Sequence, residues 1–206
     1  MPAEAPEDRK HICVYLGGNL GSDERIVDEA RTLGRLMAAE GIGLVYGGAR
    51  VGLMGVLASA VLERGGYVTG VVPRQLAYQE LAHEGLTQLD VVDTMHERKH
   101  RMQSLAHACL ALPGGFGTLE EIIEALTWAQ QPLWLHEKPC VFLNIDGYFD
   151  HLFKFLDHST AKGLLLEQNR ALARQAPTAA AALQMIQKVW ADEEAALLEV
   201  LKAYEQ

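Results

Sequence analysis

Residues 110–130 read LALPGGFGTLEEIIEALTWAQ. An apolar run leads into Pro113, then Gly114, Gly115 and Gly117, then Thr118 and the adjacent acids Glu120 and Glu121, ahead of a helical pattern. Glycines between a strand and a helix let the backbone approach a ligand closely, and the unpaired amides at the positive end of the helix favour an anion, most often phosphate. The turn over 113–118 is therefore a candidate phosphate cradle with carboxylates beside it. Two familiar phosphate motifs do not fit. A P-loop needs Gly-Lys-Ser/Thr, and no lysine occurs between Lys99 and Lys138. A dinucleotide fingerprint needs Gly-x-Gly-x-x-Gly near the first strand and an acid near the end of the second. Here GFGTLE ends in Glu120, and the second predicted strand ends in Tyr46-Gly47-Gly48.

A purely structural alternative exists, because Thr118 and Glu121 have the spacing of a capping box. Against it, Glu120, Glu121 and Glu124 crowd a short stretch of one helix, where mutual repulsion has no structural benefit, and acids beside an anion site call for cations nearby. MHERKHRM, residues 95–102, places Arg98, Lys99 and Arg101 at the start of a predicted helix, the less favourable end for positive charge. A solvated basic face is the bland reading; a crevice shared with the glycine turn is the functional one. Arg50 and Arg74 also follow strand ends and are weaker candidates for the same mouth. His96, His100 and His107, spaced by four and seven on that predicted helix, suggest a polar stripe more than metal ligands, and no metal or cofactor is expected.

The elements that must position these residues alternate. HICVY, IGLVY, YVTGVVP, CLALP and KPCVFLNID are apolar runs of strand length, separated by stretches with helical periodicity such as DERIVDEARTLGRLMAAEG and TLEEIIEALTWAQ. Continuous apolar strands signal a sheet covered on both faces. The fold class is α/β, a doubly wound parallel sheet of Rossmann-like type in one domain with helices on both faces, and ligands bind beyond the carboxyl ends of its strands. Residues 1–11 read as a polar tail and 12–206 as the domain; 74–94 read as irregular and polar, and Pro177 opens an alanine-rich helix with an acidic end.

Taken together, PGGFGTLEE and MHERKHRM resemble the P-G-G-x-G-T-x-x-E and Arg-Lys motifs of the LONELY GUY (LOG) family, the cytokinin riboside 5'-monophosphate phosphoribohydrolases. GIGLVYGGARVGLMG, GVVPRQL, LTWAQ and FLNIDGYFDHL resemble the same family in the same order, over roughly residues 12–155. The resemblance implies hydrolysis of the N-glycosidic bond of a cytokinin riboside 5'-monophosphate or AMP, giving the free base and ribose 5-phosphate. It implies Arg98 and Glu121 as the catalytic pair. Lys99, Gly114, Gly115, Gly117, Thr118 and Glu120 would bind the nucleotide, with Glu80 at a further substrate position and Thr127 as an addition. One departure is the loop after the first strand, LGGNLGS, where the family commonly has a serine-containing turn and this chain has Gly18 and Asn19. Such proteins have also carried a lysine decarboxylase label, for which the sequence offers no pyridoxal-phosphate argument.

Composition sets outer limits. With 206 residues, 49% hydrophobic, the chain suffices for one full core. Eighteen Lys and Arg against 27 Asp and Glu give a formal charge of -9, which disfavours a nucleic-acid polymer as partner and leaves a small nucleoside monophosphate open. Cys13, Cys109 and Cys140 sit in apolar runs, as reduced core residues do in the cytoplasm. No stretch approaches the roughly 18 apolar residues that cross a bilayer, so no membrane partner is expected. The resemblance implies a homodimer or higher homo-oligomer, with helices near Trp128, Trp134 and Trp190 offering apolar surface. A non-catalytic nucleotide or cofactor carrier on the same fold is the alternative function, and a purely structural assembly protein a third.

Overall fold

A computed structural model describes residues 9–77, 83–131 and 138–204. In chain order it comprises β1 (His11–Tyr15), α1 (Glu24–Ala39), β2 (Gly43–Tyr46), α2 (Gly52–Leu62), β3 (Val68–Pro73), α3 (Arg74–Ala77), β4 (Gln88–Val92), α4 (Met95–Leu105), β5 (Ala108–Ala111), α5 (Phe116–Ala129), β6 (Cys140–Leu143), a 3-10 turn (Ile145–Gly147), α6 (Asp150–Ala161), α7 (Glu167–Arg170), β7 (Ala173–Ala176) and α8 (Ala179–Tyr204). The strands form one seven-stranded sheet in the order β4-β3-β2-β1-β5-β6-β7, every pair parallel. The chain walks outward from β1 to β4, then returns to lay β5 on the other side of β1. The loops after β1 and β5 therefore diverge to opposite faces, and the crevice between them is the switch point where such sheets bind ligands.

Alternation along the strands sorts the core into two layers. Ile12 and Val14 face α1, α2 and the first half of α8, where Leu33, Leu57 and Ile186 close over them. Cys13 and Tyr15 face the other way, toward Met102 of α4, Ile122 of α5 and Phe153 of α6. Because both faces are covered, β1, β2, β5 and β6 are buried almost throughout, which is why they appear in the sequence as unbroken apolar runs. Cys13, Cys109 and Cys140 lie in register on three neighbouring strands and are buried thiols.

The structure corrects two expectations. The stretch 74–94 is not irregular: it holds α3 and β4, and a further strand, β7, precedes α8. Both added strands are at the sheet edges, where burial alternates or is interrupted by Arg174 and Gln175, so neither gives an apolar run. Helix α4 ends at Leu105, so His107 is not on a helix with His96 and His100; its Nδ1 instead accepts the His11 backbone N–H at 3.0 Å, fastening the start of β1. The Thr118–Glu121 spacing does not cap α5, as the functional reading required, and a side-chain cap starts α4 instead. Thr94 caps α4 by accepting the Glu97 N–H, and Glu97 accepts the Asp93 N–H. The N-cap of α5 is Gly115, which leaves Thr118 and Glu121 for other work.

Candidate active site

Beyond the carboxyl ends of β1, β2 and β5 lies a cavity of about 490 Å³, within the range of small-ligand sites. The loop after β1 contributes Gly17, Gly18 and Asn19; β2 and α2 contribute Gly47 and Met54; the turn after β5 contributes Pro113, Gly114, Gly115, Gly117 and Thr118. Arg98, Glu121 and Tyr148 complete the polar wall.

The two glycine turns are in close contact. A Cβ on Gly114 would overlap the Thr118 hydroxyl and come within 3.0 Å of the Gly17 amide nitrogen, so only glycine lets the β5 turn close against the β1 turn. The first intrahelical bond of α5 runs from the Leu119 N–H to the Gly115 carbonyl. The amides of Phe116, Gly117 and Thr118 precede it and have no acceptor within the helix, at the end where the dipole attracts an anion. Cβ positions at Gly115 and Gly117 point into open space, so a ligand can approach the backbone there. Thr118, by contrast, is buried at the base of the turn.

Arg98 Nη1 meets Glu121 Oε1 at 2.9 Å, with the two side chains 14% and 12% exposed. A second bond, from Arg98 Nε to the Val71 carbonyl at 3.1 Å, ties the guanidinium to the end of β3. Gly47 makes this possible, because a Cβ there would overlap the guanidinium. Burial pushes the Glu121 carboxyl above its usual range, and the charge and hydrogen bond of Arg98 pull partly against that rise. The result is a carboxylate held at a cavity wall, with a proton affinity closer to neutrality than that of an exposed acid. That setting suits both stabilisation of developing positive charge and general-base work.

Other residues singled out in the sequence are placed elsewhere. Lys99 is buried between Glu120 and Glu124, hydrogen-bonded to the first and 3.2 Å from the second, which raises the lysine pKa. Neither Lys99 nor Glu120 lines the cavity. Arg101 pairs with Asp90 at 2.6 Å, and Arg74 with Asp93 at 3.0 Å. Thr127 donates its hydroxyl to the Ile123 carbonyl within α5 and is also off the cavity. Arg50 is exposed and does not line it. Glu80 and Trp134 lie outside the described residues. The sequence reading assigned no role to Tyr148, Asn19 or Met54; the only signal was their position in or beside the glycine-containing stretches.

Among the described residues no group of three or more His, Cys, Asp and Glu is placed to hold a metal, and no helix is long and apolar enough to cross a membrane. The cavity wall carries no lysine, so among the described residues it offers no amine for a pyridoxal Schiff base.

Comparison with known proteins adds an independent line. Residues 54–186 match the family described as possible lysine decarboxylase. The chain is 43% identical over 170 residues to the cytokinin riboside 5'-monophosphate phosphoribohydrolase LOG of Oryza sativa subsp. japonica, covering 82% of this chain and 69% of that protein. It is 45% identical over 172 residues to the cytokinin riboside 5'-monophosphate phosphoribohydrolase of Rhodococcoides fascians, covering 83% and 86%. Among solved structures, the molybdenum cofactor carrier protein of Chlamydomonas reinhardtii superposes with a TM-score of 0.68 at 22% identity, over 89% of this chain and 99% of the other, a likeness of fold.

Proposed function

The chain belongs to the LOG family, matched in the profile described as possible lysine decarboxylase and in relatives named cytokinin riboside 5'-monophosphate phosphoribohydrolases, and from that premise we propose a reaction, a substrate pose and a division of labour at the cavity. The enzyme is an N-glycosidase: it hydrolyses cytokinin riboside 5'-monophosphates or AMP to the free base and ribose 5-phosphate. The observation that carries the pose is the Arg98–Glu121 pair, set in the wall of a glycine-lined cavity at the switch point of the sheet.

The 5'-phosphate occupies the N-terminus of α5, against the amides of Gly115 to Thr118. The ribose then reaches back toward Glu121. Cleavage of the C1'–N bond sends the bonding pair to the base and builds oxocarbenium-like charge on the sugar, which the Glu121 carboxylate stabilises. A water adds its oxygen to C1' and passes a proton to Glu121; Glu121 then returns that one proton, directly or through solvent, to the departing base, which restores the carboxylate. Arg98, anchored on Val71, opposes the rise that burial gives the Glu121 pKa and fixes the orientation of the carboxylate. Positioned acid or base groups contribute about 10²- to 10⁴-fold, so the grip on the phosphate must supply much of the remainder by fixing the sugar. In this reading Lys99, Glu120 and Glu124 hold α4 against α5 and keep the catalytic pair in register. Glu80 remains a proposed substrate contact by family likeness, and a homodimer in the cytoplasm the proposed setting.

The test is incubation of the purified protein with AMP and with isopentenyladenosine monophosphate, followed by chromatography for the free base. Release of adenine or isopentenyladenine supports the reading, and intact nucleotides after prolonged incubation reject it.

A further inference from the structure

Residues 144–148 build a turn whose geometry is fixed from several sides. Asp146 adopts a left-handed conformation, φ 50°, rare for a residue with a side chain, and Gly147 follows at φ 72°. Asn144 brackets the turn: its Oδ1 accepts the Phe149 N–H at 2.7 Å, and its Nδ2 donates to Asp150 and to Gln175, each at 2.8 Å. Arg25 reaches over from α1 to Asp146 at 2.7 Å. Persistence of a strained conformation under so many restraints marks a turn built to aim something. What it aims is Tyr148. The ring stands edge-on to Phe149 and is half exposed at the cavity wall, and its hydroxyl donates to the Gly114 carbonyl at 2.9 Å.

That carbonyl belongs to the peptide joining Gly114 to Gly115. A peptide unit is planar, so fixing its oxygen also fixes the direction of the Gly115 N–H. Gly114 is packed against Thr118 and Gly17, but nothing lies within 4 Å of a Cβ position on Gly115, so glycine's conformational freedom there leaves the direction of the N–H to be set by other contacts. Among the described residues the hydroxyl of Tyr148 is the side-chain donor on that oxygen.

We propose that Tyr148 is a positioning residue of the phosphate cradle: through its hydrogen bond to Gly114 it locks the Gly114–Gly115 peptide in the orientation that receives the ligand's phosphate. The assignment rests on the reading of this cavity as a nucleoside monophosphate site. It concerns the phosphate end alone and leaves the chemistry at C1' to Glu121.

Tyr148→Phe keeps the ring and removes the hydroxyl. In this variant the KM for AMP and the inhibition constants for inorganic phosphate and ribose 5-phosphate rise together, by about 3- to 10-fold, the range of one neutral hydrogen bond. The inhibition constant for adenine and the melting temperature stay within experimental error of the wild type, and kcat falls by no more than the loss in phosphate affinity. In glycine-labelled protein without ligand, the Gly115 amide resonance broadens or splits. Unchanged phosphate affinity, or an equal loss for adenine and phosphate, overturns the proposal, as does an unchanged Gly115 resonance. Calorimetric titration with inorganic phosphate decides the matter even if the wild type releases no base from AMP, an outcome that would sink the proposed reaction and not the tether.

Discussion

Arg98 and Lys99 are consecutive on α4, Glu120 and Glu121 are consecutive on α5, and each cation takes one of these two acids, yet the two pairs occupy different settings. Arg98–Glu121 faces the cavity with both partners nearly buried; Lys99 pairs with Glu120 and Glu124 off the cavity, and Glu120 is 55% exposed. The same charges at the same helix crossing thus acquire different properties. Burial raises the proton affinity of Glu121, whereas beside Lys99 the shift that emerges is on the lysine, stabilised by its acids. Environment, not residue type, distinguishes the carboxylate proposed to react from the one proposed to hold the helices together, although the motif places them side by side.

The largest expected effect separates the two acids. Glu121→Gln lowers turnover of AMP by about 10²- to 10⁴-fold while retaining ligand affinity, and Glu120→Gln changes turnover by less than about tenfold; kcat and equilibrium dissociation constants measured for both variants check this. Equal losses would erase the distinction.

The cations are next. Arg98→Met strands a buried carboxylate and destabilises the fold by about 3 kcal/mol or more in denaturant titration. Lys99→Met leaves acids that reach water, and costs about 1 kcal/mol or less.

Acidity sharpens the contrast further. The folded pKa of Glu121 lies above the unfolded value, so the folded state holds this proton more tightly and ionisation works against the fold. The penalty is absent below about pH 4.5 and develops as pH rises through the folded pKa. The melting temperature of the wild type therefore falls more steeply than that of Glu121→Gln as pH rises from about 4.5 toward neutrality.

The smallest effect lies at the opposite end of the sheet. Burial, helped by the charge of Lys10, lowers the His107 pKa to about 4 from 6.5, so its contribution to stability is lost as pH falls through that window. His107→Gln flattens melting temperature against pH there.

Much of this was legible in the sequence, for identifiable reasons. Central strands buried on both faces betray themselves as apolar runs, and glycines at strand ends mark where backbone must come close to backbone or ligand. The edge strands escaped notice because β4 carries Gln88 and Asp90 and β7 carries Arg174 and Gln175. Residue type and spacing did not separate Glu121 from Glu120, since their difference depends on how α5 is rotated against α4; the family resemblance alone gave Glu121 the catalytic role. Tyr148 was invisible for a related reason: its partner, Gly114, is 34 residues away and is engaged through the backbone. Periodicity and motif spacing carry no trace of such a contact.

The most direct measurement is a crystal structure of Glu121→Gln with AMP bound. The phosphate is expected on the amides at the start of α5, and C1' within about 3.5 Å of the residue 121 side chain or of a water hydrogen-bonded to it. Phosphate bound elsewhere, or C1' turned away from residue 121, would contradict it.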